Sequence, residues 1–161
     1  MIQTLLVLFV GLVTPPLAQG QGRNRETMPL TNTGLRQALE LWFGTDHNKA
    51  EVTALIGDIS DWDTSQVTSF NSLFKGRTTL DEDLSFWNTS SVTDMADMFN
   101  GCTNMRGKPS LDRWDTSKVT SMARMFKSAT SWEGDLSSFD TSSVTDMSNM
   151  FQVSLFRRIL A

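Results

Sequence analysis

Large apolar residues return along this chain in one fixed arrangement, written four times. Trp62, Trp87, Trp114 and Phe139 open the copies and are spaced by 25, 27 and 25 residues. Each is followed five residues later by valine: Val67, Val92, Val119 and Val144. Next come Met95, Met122 and Met147, with Phe70 in the first copy. Leu73, Met98, Met125 and Met150 follow, each directly before a phenylalanine (Phe74, Phe99, Phe126, Phe151). A small residue (Cys102, Ala129) and a large one (Leu80, Met105, Trp132) then lead to an aliphatic. That aliphatic is Ile59, Leu84, Leu111 or Leu136, three residues ahead of the aromatic. A fixed period of this size is the mark of a solenoid, in which one copy alone has no partner for its apolar face.

Two local readings follow. Val92, Met95, Met98 with Phe99, and Cys102 lie at helical spacing, which predicts a short helix or helical turn with an inward stripe. "DLSFWN" and its relatives "DISDWD", "SLDRWD" and "DLSSFD" are short and bounded by polar turn residues, which predicts brief strands. One strand and one helical segment per copy predict an α/β fold. Its form is an LRR-like right-handed solenoid of about four coils of ~25 residues, with short parallel strands. Between the two segments stands Thr-Ser at 64–65, 89–90, 116–117 and 141–142, placed to cap the helical segment. Asp63, Asn88, Asp115 and Asp140 precede it and suit an Asx turn.

The ends differ from the repeats. Leu35, Ala38, Leu39, Trp42 and Phe43 share one helical face, with Thr33 as N-cap and Gly44 as stop. Lys49 to Ile56 predicts a second helix, with Val52, Leu55 and Ile56 apolar and Gly57 ending it. The two make a helical cap over 35–57 ahead of the repeats at 58–151. Residues 1–20, "MIQTLLVLFVGLVTPPLAQG", contain no charged side chain and an apolar run from Leu5 to Val13. They predict a secretory signal peptide, cleaved after Gly20 or Ala18. Residues 21–34 read as a flexible lead. After Phe151 the line fails, and "QVSLFRRILA" (152–161) is either an improvised cap or a truncated reading frame.

Charge and chemistry narrow the role. With 14 Lys and Arg against 18 Asp and Glu, the net charge is -4 and the basic residues are scattered. No nucleic-acid footprint results. No segment beyond the first twenty residues is apolar enough to span a bilayer. Cys102 is the single cysteine, at a position where a later copy has Ala129, and reads as a small core residue. Seven of the nine methionines fall on inward repeat positions, so they read as core volume. Asp58, Asp83 and Asp135 recur in register, but calcium loops gather several acids and glycines closely, and no metal or other cofactor is expected. His47, in "GTDHNKA", is the single histidine, and no nucleophile elbow, phosphate loop or zinc spacing accompanies it. A hydrolase using His47 is the remote alternative, and no catalytic residue is assigned.

The units "WDTSQVTSF…LF", "LSFWNTSSVTDMADMF" and "WDTSKVTSMARMFKSATSWEGDLSSFDTSSVTDMSNMF" resemble the BspA-like leucine-rich-repeat surface proteins, the DUF285 family. The likeness covers about residues 35–151. It implies a secreted or surface-exposed repeat protein, with adhesion as a suggested role and no catalytic residues to transfer.

The expectation is therefore an extracellular module that binds a protein or glycan. Its candidate face comprises the positions that vary within the fixed line: Asp61, Phe86, Arg113 and Ser138, and Gln66, Ser91, Lys118 and Ser143. A structural fragment of a larger repeat protein, without its own ligand, is the alternative. Asn88 heads the sequon "NTS" and is a glycosylation candidate.

Overall fold

A computed structural model describes residues 29–105 and 109–154; the proposed signal peptide, most of the lead, and the tail from 155 lie outside the described residues. Two helices stand at the N-terminal end. Helix α1 spans Asn32–Trp42 and begins at Thr31 rather than Thr33, because the Thr31 hydroxyl accepts from the Gly34 N–H. Its face of Leu35, Ala38, Leu39 and Trp42 is buried. Residues 30–34 are docked: Leu30 is buried and donates its N–H to the Asp63 carbonyl, and Asn32 Oδ1 accepts from Thr68 and Ser69. Helix α2 spans Asp46–Ile56, capped by Thr45 at its start and by Gly57 at φ 90° at its end. Val52 is its buried residue, while Leu55 faces solvent.

The repeats stack copy on copy, but not as an LRR-like solenoid of strands and helices. Among the described residues there is no sheet; the copies meet at single-residue parallel bridges, Ser69 to Asp94 to Ser121 to Asp146. Among the described residues the expected strands and the α-helices of the repeats are absent, a 3-10 turn at Ile59–Asp61 standing in place of the first strand, and the reason is visible in the backbone hydrogen bonds.

Along each copy the N–H groups alternate between two kinds of partner. Phe70, Ser72, Phe74 and Gly76 donate to Asp94, Ala96, Met98 and Asn100 of the next copy. Leu73, Lys75 and Arg77, between and after them, donate three residues back within their own turns. The second copy repeats this, with Met95, Asp97, Phe99 and Gly101 bonding Ser121, Ala123, Met125 and Lys127. The third does so with Met122, Arg124, Phe126 and Ser128 bonding Asp146, Ser148, Met150 and Gln152. Ser72, Asp97, Arg124 and Asn149 hold φ of 55–57°, which prevents a helix from propagating. Overlapping turns linked by a ladder therefore satisfy the backbone where a helix was expected.

The expected strand fails for a related reason. Leu84 and Trp87 are both buried yet three apart, so an extended chain would put them on opposite faces. The chain turns instead, with Trp87 N–H donating to the Leu84 carbonyl; Trp62, Trp114 and Phe139 do the same to Ile59, Leu111 and Leu136.

Side chains complete the stack. Phe74, Phe99, Phe126 and Phe151 form a ladder with ring centroids 5.8, 5.4 and 5.8 Å apart. Trp87 and Trp114 donate their indole N–H to the Ile59 and Leu84 carbonyls of the preceding copy at 2.8 and 3.0 Å. Thr64, Thr89 and Thr116 are buried, and their hydroxyls donate forward to the carbonyls of Asn88, Asp115 and Asp140. These threonines join copies rather than cap a helix. The Asx turns are formed by Asp63, Asn88, Asp115 and Asp140, each accepting from the serine N–H two residues on.

Burial is not uniform across the copies. Trp62, Val67, Phe74, Trp87, Val92, Met95, Met98, Phe99, Trp114, Val119, Met122, Met125 and Phe126 are buried, as is Met150. Phe139 and Val144 are only partly buried, and Met147 and Phe151 are exposed, contrary to their reading as core.

Candidate interaction surface

The turn that buries Leu84 and Trp87 has a consequence for the residue between them. Phe86 is pushed outward and is 66% exposed, more than any aromatic in the repeats. One copy on, Arg113 occupies the same place before Trp114, and its guanidinium lies over the Phe86 ring, 5.0 Å from the centroid. Stacking of the copies thus builds a cation–π pair on the surface from residues 27 apart in sequence. Asp61 and Ser138, the equivalents in the first and last copies, are exposed too. In the second row Gln66, Lys118 and Ser143 are exposed and Ser91 is half-buried; Ser143 donates its hydroxyl to the Ser117 carbonyl at 2.7 Å. Of the eight candidate positions, Phe86 and Arg113 are the two joined by a side-chain contact among the described residues.

The other candidates fall into place individually. Asn88 is exposed, but its Oδ1 accepts from the N–H and hydroxyl of Ser90 at 3.1 and 2.7 Å. Asp58, Asp83 and Asp135 each accept from the serine N–H two residues on, and among the described residues no group of His, Cys, Asp and Glu converges as a metal site. His47 lies on the first turn of α2, 74% exposed and 3.1 Å from Glu51. Cys102 is buried against the Phe74 carbonyl, and burial pushes its thiol up to about 12, so no thiolate is present at neutral pH.

Asp97 was missed from sequence and ties the stack together. It is buried at a left-handed backbone position. One oxygen accepts from Arg124 of the next copy at 2.7 Å; the other accepts from Lys75 of the preceding copy at 3.1 Å and from Asn100 at 2.6 Å. The Arg124 guanidinium, foremost among these, holds the carboxyl well below the usual range. The equivalent residues Ser72, Arg124 and Asn149 share no charge, so the repeat alignment carries no sign of this cluster.

Stacked turns with a shared aromatic ladder define a repeat protein. The chain belongs to the DUF285 family, whose model, described as "Mycoplasma protein of unknown function, DUF285", matches residues 47–158, well over half its length. No curated protein and no solved structure matches it. Among the described residues no helix is long and apolar enough to cross a membrane.

Proposed function

We propose that the protein is an extracellular interaction module of adhesion type, binding a protein or glycan partner and carrying out no catalysis. The observation that carries this reading is Phe86, 66% exposed and held under the Arg113 guanidinium. Aromatic and arginine side chains, phenylalanine included, are enriched in known interfaces, and arginine recurs among their hot spots. The uncharged apolar N-terminal run supports export, and the likeness to BspA-like surface proteins supports adhesion. A panel of immobilised extracellular glycans and cell-surface proteins, probed with the purified chain and with Phe86→Ala, tests it. Binding that Phe86→Ala weakens at least about tenfold, with an unchanged melting temperature, supports the reading. Binding equal in both proteins, or binding to nothing on the panel, overturns it.

A further inference from the structure

Helix α1 and the first copy enclose a groove of about 310 Å³. Arg36, Lys75 and Arg77 line it with a single carboxylate, Glu40, over a floor that includes Leu39 and Leu73. In a chain with net charge -4, three cations lining one groove oppose the general field.

The two guanidinium groups are held but not neutralised. Arg36 Nη2 donates to the Asn71 carbonyl at 2.7 Å, a neutral partner. Arg77 lies over the Phe43 ring, 4.4 Å from its centroid, also neutral. Among the described residues neither is in ion-pair contact with a carboxylate, and Glu40, one turn beyond Arg36 on α1, pairs with neither. Lys75 differs, being paired with Asp97 at 3.1 Å. Packing has thus fixed two planar forks at one groove with donors unused. A fork of this kind suits a planar or tetrahedral oxyanion, gripped by parallel N–H bonds. The volume lies at the small end of ligand sites, which favours one or two sugar rings over a peptide segment.

We propose that this groove binds an acidic saccharide through a sulfate or carboxylate group held by Arg36 and Arg77. The site is separate from the Phe86 surface and does not depend on what that surface binds. Isothermal titration of the full chain at low salt, with a sulfated disaccharide as probe, tests it. The expected result is saturable binding that Arg36→Gln and Arg77→Gln each weaken at least about tenfold. Glu40→Gln strengthens it several-fold, a gain that damage to the fold cannot mimic. Phe86→Ala leaves it unchanged, which separates this site from the other, and raising the salt weakens it. Melting temperatures of the variants check that each is folded. Equal binding of the unsulfated disaccharide overturns the proposal. Inorganic sulfate binding as tightly as the sugar overturns the saccharide assignment, and an oligo-aspartate peptide binding more tightly transfers the groove to a protein partner.

Discussion

The third and fourth copies carry nearly the same line and have opposite fates. In the third, Trp114, Val119, Met122 and Phe126 are 3% exposed or less. In the fourth, Phe139 and Val144 are partly buried, Met147 is 45% exposed and Phe151 37%. Yet the local backbone is the same: Arg124 and Asn149 both hold φ 55°, and Asp115 and Asp140 both close an Asx turn. The line therefore encodes the turn by itself, whereas burial comes from the neighbour. Among the described residues the third copy has a neighbouring copy on each side. The fourth receives the Thr116 hydroxyl on its Asp140 carbonyl, but its own Thr141 is exposed and Phe139 has no indole N–H to return.

The comparison breaks most visibly at equivalent methionines. Met122→Asp places an unpaired charge in a fully buried site and is expected to unfold the stack, at a cost of several kcal/mol. Met147→Asp, at the same repeat position in the last copy, should cost less than about 1 kcal/mol. Urea denaturation followed by tryptophan fluorescence compares them, and equal midpoints would show that the last copy is buried after all.

Acid sharpens the contrast next. The Asp97 carboxyl has its folded-state pKa lowered, chiefly by Arg124, so below about pH 4 the unfolded chain binds more protons than the folded one. Its contribution is complete above about pH 4 and is lost as pH falls toward the folded value. Asp97→Asn should remove about 1–3 kcal/mol at pH 7, discounted because Lys75 and Arg124 remain half exposed, and should flatten the acid limb. Asp146, held low by the N–H and hydroxyl of Ser148 on an exposed turn, should give Asn variants with a much smaller change. Equilibrium unfolding at pH 3 and pH 7 measures both.

Backbone sign gives a subtler pair. Gly76, Gly101, Ser128 and Val153 occupy one repeat position, with φ of 75°, 81°, 57° and 62°. Gly101→Ala is expected to cost about 1 kcal/mol, and Ser128→Gly to gain up to about 1 kcal/mol, since the third copy, like the fourth at Val153, holds a side chain there against a left-handed backbone. Thermal melts reveal the sign, and a destabilised Ser128→Gly would mean that the copies do not share one turn. Smallest of all, Lys118→Ala on the exposed row should shift stability by less than about 0.5 kcal/mol.

Much of this was legible without coordinates. The period, the inward positions of valine, methionine and phenylalanine, and the Asx turns follow from residue chemistry, because side-chain polarity and an Asp or Asn beside its own backbone act locally. The spacing of Leu84 and Trp87 also held a clue against the strand, since residues three apart cannot share one face of an extended chain. What tertiary structure alone decided was the partner of each backbone N–H. A spacing of three and four residues fits a helix or a run of turns equally, and the choice fell to turns because carbonyls of the next copy wait at every second residue. Tertiary structure likewise decided that Asp97 meets cations from both neighbours, that Arg113 reaches Phe86, and that α1 closes a basic groove over the first copy. Each joins residues more than twenty apart, in contacts that exist only once the copies and helices have packed.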